Sequence, residues 1–181
     1  MHDDEIRKLI DGFGRFRARH LATDDGLYRR LFREGQAPKV MVIACCDARV
    51  DPAIITDCDP GELFVVRNVA NLVPPHETLG HYHGTSAALE FAVRVVKVRH
   101  IVVLGHSRCG GIGTLLSDLQ GEDGLGQFIA PWMNIAAEAR SAAQSVAATE
   151  SPDAVARVAE QSAIRISLRN LLSFPWVRQR I

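Results

Sequence analysis

Two short segments carry residues whose types and spacing could do chemistry. Cys45, Asp47 and Arg49 alternate in one segment, and His106 and Cys109 stand three positions apart in the other. Residues two apart in an extended chain point to the same side, so the first three are expected to share one face. Where a chain turns into a helix, a spacing of three can aim an imidazole and a thiolate at one point. We therefore predict that these side chains form a single site.

The ligand set in these segments suits zinc. Two thiolates and one imidazole satisfy a borderline-soft ion that accepts tetrahedral geometry, and three protein ligands leave a fourth position for water. Zinc lowers the pKa of bound water to about 7, which provides hydroxide at neutral pH. Asp47 and Arg49 then read as a pair beside the metal. The guanidinium would fix the carboxylate, and the carboxylate would accept the proton of the water.

The remaining cysteines and histidines give weaker signals. Cys46 and Cys58 have no partner at ligand spacing, so we expect them only to pack, and a bridge between the adjacent Cys45 and Cys46 would be strained. The segment 68–84 reads as a long loop with three histidines, for which solvated side chains, proton relays and a second metal site all remain open: His76, His81 and His83.

The elements that must position the site alternate between strands and helices. We predict strands over 39–46, 62–67 and 100–104, and helices over 4–19, 25–34, 85–97, from 110, from 127 through the alanine-rich stretch, and over 152–172. Thr85 or Ser86 is expected to cap the 85–97 helix. Such alternation predicts an α/β fold with a mostly parallel sheet covered by helices on both sides. Ligand crevices in open α/β sheets lie beyond the carboxyl ends of strands, where Cys45 and His106 fall.

Length and composition exclude several classes of protein. The chain has 181 residues, which predicts one domain over 1–181, and 47% hydrophobic residues suffice for a core. Its 21 basic and 21 acidic residues cancel, which disfavours general binding of nucleic acid or of anionic membranes. The apolar runs are too short to span a bilayer, and the charged N-terminus lacks a signal-type stretch, so we expect a cytoplasmic protein. The glycine-rich segment 105–113 lacks the spacing of nucleotide-binding motifs.

The combined motif resembles the signature of the beta-class carbonic anhydrases. Flanking segments that resemble the same family cover nearly the whole chain: GELFVVRNVAN at 61–71, HGTSAALEFAV at 83–93, IVVLGHSRCGGI at 101–112 and SLRNLLSFPWVR at 167–178. The resemblance implies one zinc ion per chain on Cys45, His106 and Cys109, with Asp47 and Arg49 as a catalytic dyad. The implied reaction is reversible hydration of CO2 to bicarbonate and a proton by zinc-bound hydroxide.

The resemblance also implies substrate contacts. Gln36 would donate a hydrogen bond to bound substrate, and Phe64, Val69 and Phe91 would line an apolar CO2 pocket, partly across a dimer. Gly110 matches the glycine that follows the cysteine ligand. Gln36 further resembles an open, plant-like subgroup, so we expect that the carboxylate of the dyad does not close onto zinc.

The resemblance implies a homodimer or a larger oligomer built from dimers. The N-terminal helical arm, residues 1–35, would wrap around the partner chain. Two departures stand out: Ala48 replaces the usual serine of the dyad segment, and the chain stops at Ile181. Family members usually continue there with a further strand, so we expect this segment to be absent and to leave a sheet edge or apolar surface exposed.

Two other functions remain alternatives. Relatives that hydrolyse carbonyl sulfide or carbon disulfide share the metal motif, although the 68–84 loop resembles the carbonic anhydrase form. The zinc could also stabilise a non-catalytic interaction module. The Asp47–Arg49 pair argues against that reading, because a purely structural site does not need one.

Overall fold

A computed structural model describes residues 2–22, 26–79, 83–117 and 126–181. Its strands are β1 (Val40–Cys45), β2 (Leu63–Asn68) and β3 (His100–Leu104). Its helices are α1 (His2–His20), α2 (Leu27–Glu34), α3 (Pro52–Ile55), α4 (Gly84–Glu90), α5 (Gly110–Leu116), α6 (Gly126–Asn134), α7 (Ala137–Val146), α8 (Pro152–Leu171) and α9 (Pro175–Arg178). None of the helices in these ranges is long and apolar enough to cross a membrane.

The three strands form one parallel sheet in the order β2-β1-β3. Val42 at the middle of β1 pairs with Val65 on one side and with Val102 on the other. Because β1 is central, five of its six residues are buried, as expected for a strand flanked on both edges and covered on its faces. The predicted α/β class and parallel sheet are confirmed.

Two hydrophobic clusters pack around the sheet. Met41 and Ile43 of β1 belong to one of them, with residues of α4, α8 and α9. The other contains Cys45 and Cys109 together with small side chains of α7 and α8, namely Ala139, Ala143, Ala159 and Ala163. Each alanine pair is spaced i, i+4 and lies on one face of its helix, which lets the helices approach closely. The two candidate cysteine ligands therefore lie in this alanine-rich core.

The predicted helix from residue 127 is wrong in its continuity, because two helices replace it. The chain turns at Ile135 and Ala136, whose backbone N–H groups bond to the carbonyls of Trp132 and Met133. The indole of Trp132 anchors α6 by donating to the carbonyl of Val69, whereas α7 packs on α8. These two docking directions outweigh the helix propensity of the alanines.

The helix predicted over 85–97 begins and continues differently. It starts at Gly84, and His83 precedes it without a side-chain cap. The hydroxyl of Thr85 accepts a hydrogen bond at 3.3 Å from the side chain of Asn68, the last residue of β2. It therefore contacts the strand and does not cap the helix. The second half, Phe91–Val96, is π-helical and ends at Lys97, whose φ is 62°. Thr85 and Ser86 are therefore not the cap.

The two N-terminal helices contact each other through aromatic rings. The ring of Phe16 in α1 meets that of Tyr28 in α2 edge to face, with centroids 4.8 Å apart. The stripe formed by Ile6, Leu9, Ile10 and Phe13 on α1 remains 56 to 68% exposed. This exposed apolar face agrees with the amphipathic helix expected from the sequence.

Candidate metal centre

The structure brings three predicted ligands together at the carboxyl ends of neighbouring strands. Cys45 is the last residue of β1, His106 follows β3 by two positions, and Cys109 immediately precedes α5. One ligand atom from each residue lies within 4.8 Å of the others, and the two Sγ atoms are 3.8 Å apart. Adjacent parallel strands end at the same edge of a sheet, so ligands 61 positions or more apart in sequence meet there.

The imidazole of His106 lacks a partner on one nitrogen. Its Nδ1 lies 3.0 Å from the carbonyl oxygen of Ser107, which favours the tautomer with the proton on Nδ1. Its Nε2 is buried and has no hydrogen-bond partner among the residues that the structure describes. Buried polar atoms are rarely left unpaired, so this nitrogen is suited to a metal ion.

The two sulfur atoms also favour a cation. Burial raises the pKa of the Cys109 thiol to about 11, and the neighbouring Cys45 adds to the rise. Two thiolates at this separation repel each other, so both lose their protons readily only when a cation lies between them. A buried pair of sulfurs with one free imidazole nitrogen fits zinc in a tetrahedral site.

Asp47 and Arg49 form a bidentate ion pair beside the ligands. Nε of Arg49 donates to Oδ1 at 2.9 Å, and its terminal nitrogen donates to Oδ2 at 2.6 Å. These side-chain hydrogen bonds, together with one from the Arg49 backbone, hold the pKa of the Asp47 carboxyl well below its usual range. Oδ2 lies 3.9 Å from Nε2 of His106. An ionised carboxylate therefore stands next to the ligand cluster.

A turn, rather than an extended strand, gathers this segment. β1 ends at Cys45, and the N–H of Val50 donates back to the carbonyl of Asp47 at 3.1 Å. The turn places Arg49 over Asp47 and lets the guanidinium also donate to the carbonyl of Arg108 at 3.0 Å. The side chains converge as predicted, but the extended geometry that motivated the prediction does not continue beyond the strand.

Arg67 stabilises the same turn, although the sequence pattern did not identify it as a site residue. Its Nε donates to the carbonyl of Cys45 at 2.9 Å, and a terminal nitrogen donates to that of Asp47 at 2.7 Å. Its other terminal nitrogen bonds at 3.1 Å to Asp51, which caps α3 through its side chain. An arginine that directly follows four apolar residues of β2 was the available signal. Its partners could not be read from it because they lie 16 to 22 positions away.

The residues expected to contact substrate fall into two groups. Val69 lies beside α5, since a Cβ on Gly111 would come within 2.8 Å of its Cγ1. Gly110 is the first residue of α5. Phe64 and Phe91 instead stack on each other with centroids 6.1 Å apart.

Gln36 lies apart from these residues, in the segment between α2 and β1, where it is exposed. Its side chain makes no hydrogen bond within the described part of the chain. The structure therefore brings Val69 and Gly110 next to the turn that carries Cys109, and it does not bring Gln36 there.

The other cysteines and histidines stand apart from the cluster. Cys46 is exposed, so the expectation that it packs is wrong: it follows the strand and faces outward. Cys58 is half-buried and accepts a hydrogen bond from the hydroxyl of Thr56 at 3.2 Å. The ring of His76 packs against Phe174 with centroids 5.2 Å apart. His81 lies outside the described residues.

The sequence matches known proteins along most of its length. The family model described as carbonic anhydrase matches residues 40–181. Beta carbonic anhydrase 5, chloroplastic, from Arabidopsis thaliana is 40% identical over 158 residues, which make up 87% of this chain and 52% of that protein. The chain therefore spans about half the length of this curated relative.

Solved structures of the same kind share the fold. The beta-carbonic anhydrase CcaA superposes with a TM-score of 0.86 at 30% identity, over 98% of this chain and 78% of that chain. A tetrameric beta-carbonic anhydrase from Sordaria macrospora gives 0.78 at 28% identity, over 98% and 84% of the two chains. The family match includes β1, β3 and all three candidate ligands, and we conclude that the chain belongs to the beta-carbonic anhydrase family.

Proposed function

We propose that this chain is a zinc-dependent carbonic anhydrase that catalyses reversible hydration of CO2 to bicarbonate and a proton. The observation that carries the proposal is the group of Cys45, His106 and Cys109, with the ionised carboxylate of Asp47 3.9 Å from the free imidazole nitrogen. Membership of the family supports the same reaction. Because the chain spans only part of its curated relative, the proposal is argued from the geometry of the site and not from the activity of that relative.

The three ligands would hold one zinc ion, as their donor atoms and spacing suit it. Zinc, when bound, supplies a Lewis acid that lowers the pKa of water to about 7, so that hydroxide exists at neutral pH. The protein contributes the fixed positions of two buried sulfurs and one buried nitrogen. It also limits access of bulk water, since Cys45 and Cys109 are 5% and 4% exposed.

Asp47 would orient the nucleophile. Arg49 occupies one donor position on each carboxylate oxygen, yet an ionised carboxylate has about four lone-pair sites and can accept another hydrogen bond. Asp47 would accept this bond from the attacking hydroxide and turn an oxygen lone pair towards the carbon of CO2. Because its pKa is held low, Asp47 does not store a proton at neutral pH, and the released proton must pass to buffer.

We propose that Val69 and Gly110 form part of the CO2 site within one chain. Val69 offers an apolar wall beside the Cys109 turn, and a neutral, nonpolar substrate needs few polar contacts. We further propose that Gln36, Phe64 and Phe91 complete the substrate site in a homodimer, in which the exposed apolar face of α1 contacts the partner. The relative from Sordaria macrospora is tetrameric, which supports assembly.

Cytoplasmic location remains a prediction from the sequence, because the relative from Arabidopsis thaliana is chloroplastic by name. No partner beyond CO2, bicarbonate and further copies of the chain enters the proposal.

The test is stopped-flow CO2 hydration by protein of measured zinc content, with a chelator-treated control. Wild type is expected to turn over CO2 in proportion to its zinc. Asp47→Ala should keep its zinc and lose activity by about 10²-fold, the size of loss that follows when a reacting group is no longer held in position. Asp59→Ala is the matched control, because Asp59 is an exposed carboxylate in the turn before β2.

Two results would contradict the proposal. Zinc-loaded wild type that fails on CO2 but hydrolyses carbonyl sulfide would reassign the substrate. Full activity of Asp47→Ala would remove Asp47 from the mechanism.

A further inference from the structure

The peptide unit between Arg108 and Cys109 is held at both of its polar ends. Its carbonyl oxygen, on Arg108, accepts a hydrogen bond from the guanidinium of Arg49 at 3.0 Å. Its N–H, on Cys109, donates to Oε1 of Glu160 in α8 at 3.2 Å. A cation from the dyad and an anion from a distant helix therefore fix one peptide plane.

The backbone at this point needs such support. Arg108 has a φ of 53°, in the left-handed region that non-glycine residues disfavour. Residues are held in such conformations only when the surrounding contacts over-determine them. The two hydrogen bonds to the following peptide provide contacts of that kind.

Glu160 is placed for this contact by the packing of α8. The neighbouring Ala159 and Ala163 are buried in the cluster that contains Cys45 and Cys109, which brings this stretch of α8 against the ligand turn. Glu160 is half-buried, and within the described ranges it forms no salt bridge. The N–H of Cys109 is the hydrogen-bond donor that the structure gives to this carboxylate.

We propose that Glu160 is a positioning residue for the metal ligand Cys109. Rotation of the Arg108–Cys109 peptide plane changes the φ of Cys109 and so swings its sulfur. Glu160 locks that plane and so keeps the sulfur pointing towards Cys45 and His106. The inference rests on the metal site of the proposed function.

The experiment measures the zinc dissociation constant of the full chain by competition with a chelator of known affinity. Glu160→Met removes the acceptor at similar side-chain length, and Glu160→Gln keeps an acceptor oxygen without the charge. Groups that orient metal ligands typically contribute about 10- to 100-fold to affinity, and we expect a loss of this size for Glu160→Met. Glu160→Gln should stay within about threefold of wild type.

Glu62→Met is the matched control. Glu62 also accepts a hydrogen bond from a backbone N–H, that of Asp59 at 2.7 Å, but it lies immediately before β2. This variant should bind zinc as wild type does. Urea unfolding of the metal-free variants shows whether each variant is folded under the conditions of the zinc measurement. Weaker zinc binding by a folded variant is then due to ligand positioning and not to a general loss of stability. If Glu160→Met does not fold, Glu160→Ala replaces it, since alanine suits α8.

The outcomes separate this inference from the proposed function. Wild-type affinity in folded Glu160→Met overturns the inference alone. A loss in Glu160→Gln as large as that in Glu160→Met also overturns it, because charge rather than the hydrogen bond would then be responsible. A wild-type protein that binds no zinc overturns the proposed function as well.

Discussion

Two residues of the site, His106 and Cys109, have side chains that a bound cation would stabilise. The Nε2 atom of His106 is buried without a hydrogen bond among the described residues, and burial raises the pKa of Cys109 to about 11. Asp47 differs, because Arg49 satisfies it and keeps it ionised. His106 and Cys109 are therefore suited to bind a metal ion. Asp47 already has its hydrogen-bond partners and is suited to orient a bound molecule.

Gly111 provides a residue-scale prediction. A Cβ at this position would lie 2.8 Å from Cγ1 of Val69 and 3.3 Å from the backbone nitrogen of Ala70. Gly111→Ala must therefore displace the segment after β2 or the start of α5, and we expect a loss of about 1 to 3 kcal/mol in the free energy of unfolding. Urea denaturation measures it.

Gly113→Ala is the control in the same helix, because nothing lies within 4 Å of its Cβ position. Alanine there should leave stability unchanged or raise it by about 0.5 to 1 kcal/mol. Equal stability of the two variants would contradict the close packing of Val69 against α5.

Among the described elements, α1 is distinguished by an apolar face that remains exposed. Its apolar stripe is mostly exposed, while its contact with α2 runs through Phe16 and Tyr28. Exposed apolar area on this scale marks an interaction surface more often than a free one. We therefore assign this face of α1 to the contact between chains in the proposed homodimer.

Leu9→Glu tests that role. Leu9 is 68% exposed on α1, so a charge there costs little in one chain but would lie in an apolar contact between two. We expect sedimentation to show a shift from dimer towards monomer at micromolar concentration. Lys8→Glu places the same glutamate at an adjacent, exposed position outside the apolar stripe and should leave assembly intact. An unchanged mass for Leu9→Glu would contradict the assignment of α1 to the dimer contact.

For the whole molecule, protonation of the Cys109 thiol links zinc binding and pH to the free energy of unfolding. The pKa of Cys109 is raised from 9.0 to about 11 by burial, so the folded protein holds this proton more tightly than the unfolded chain. The group therefore contributes stability below pH 9 that is lost as pH rises towards 11. Bound zinc reverses the sign, because it requires the thiolate.

We accordingly expect metal-free protein to lose stability between pH 9 and pH 11, by roughly 1 to 3 kcal/mol. Urea unfolding with a chelator and a reductant measures it. Cys109→Ser should flatten this part of the profile, and zinc-loaded wild type should not show the loss. A metal-free profile that is level across the same range would contradict the burial of a protonated thiol.

The sheet and the candidate ligand set could both be predicted from the sequence, because both depend on local patterns. Continuous apolar runs predicted all three strands, including residues 100–104 to the residue, and two short spacings identified Cys45, His106 and Cys109. The family signature came from the same segments.

The contacts around those candidate ligands could not be predicted in the same way, because they join segments that are distant in sequence. Arg67 donates hydrogen bonds to the carbonyl oxygens of Cys45 and Asp47. Glu160 accepts one from the N–H of Cys109, which lies 51 positions away in sequence. The break between α6 and α7 depends likewise on docking to different neighbours. Propensity and periodicity act over a few residues, whereas these hydrogen bonds exist only after helices and strands distant in sequence have packed together.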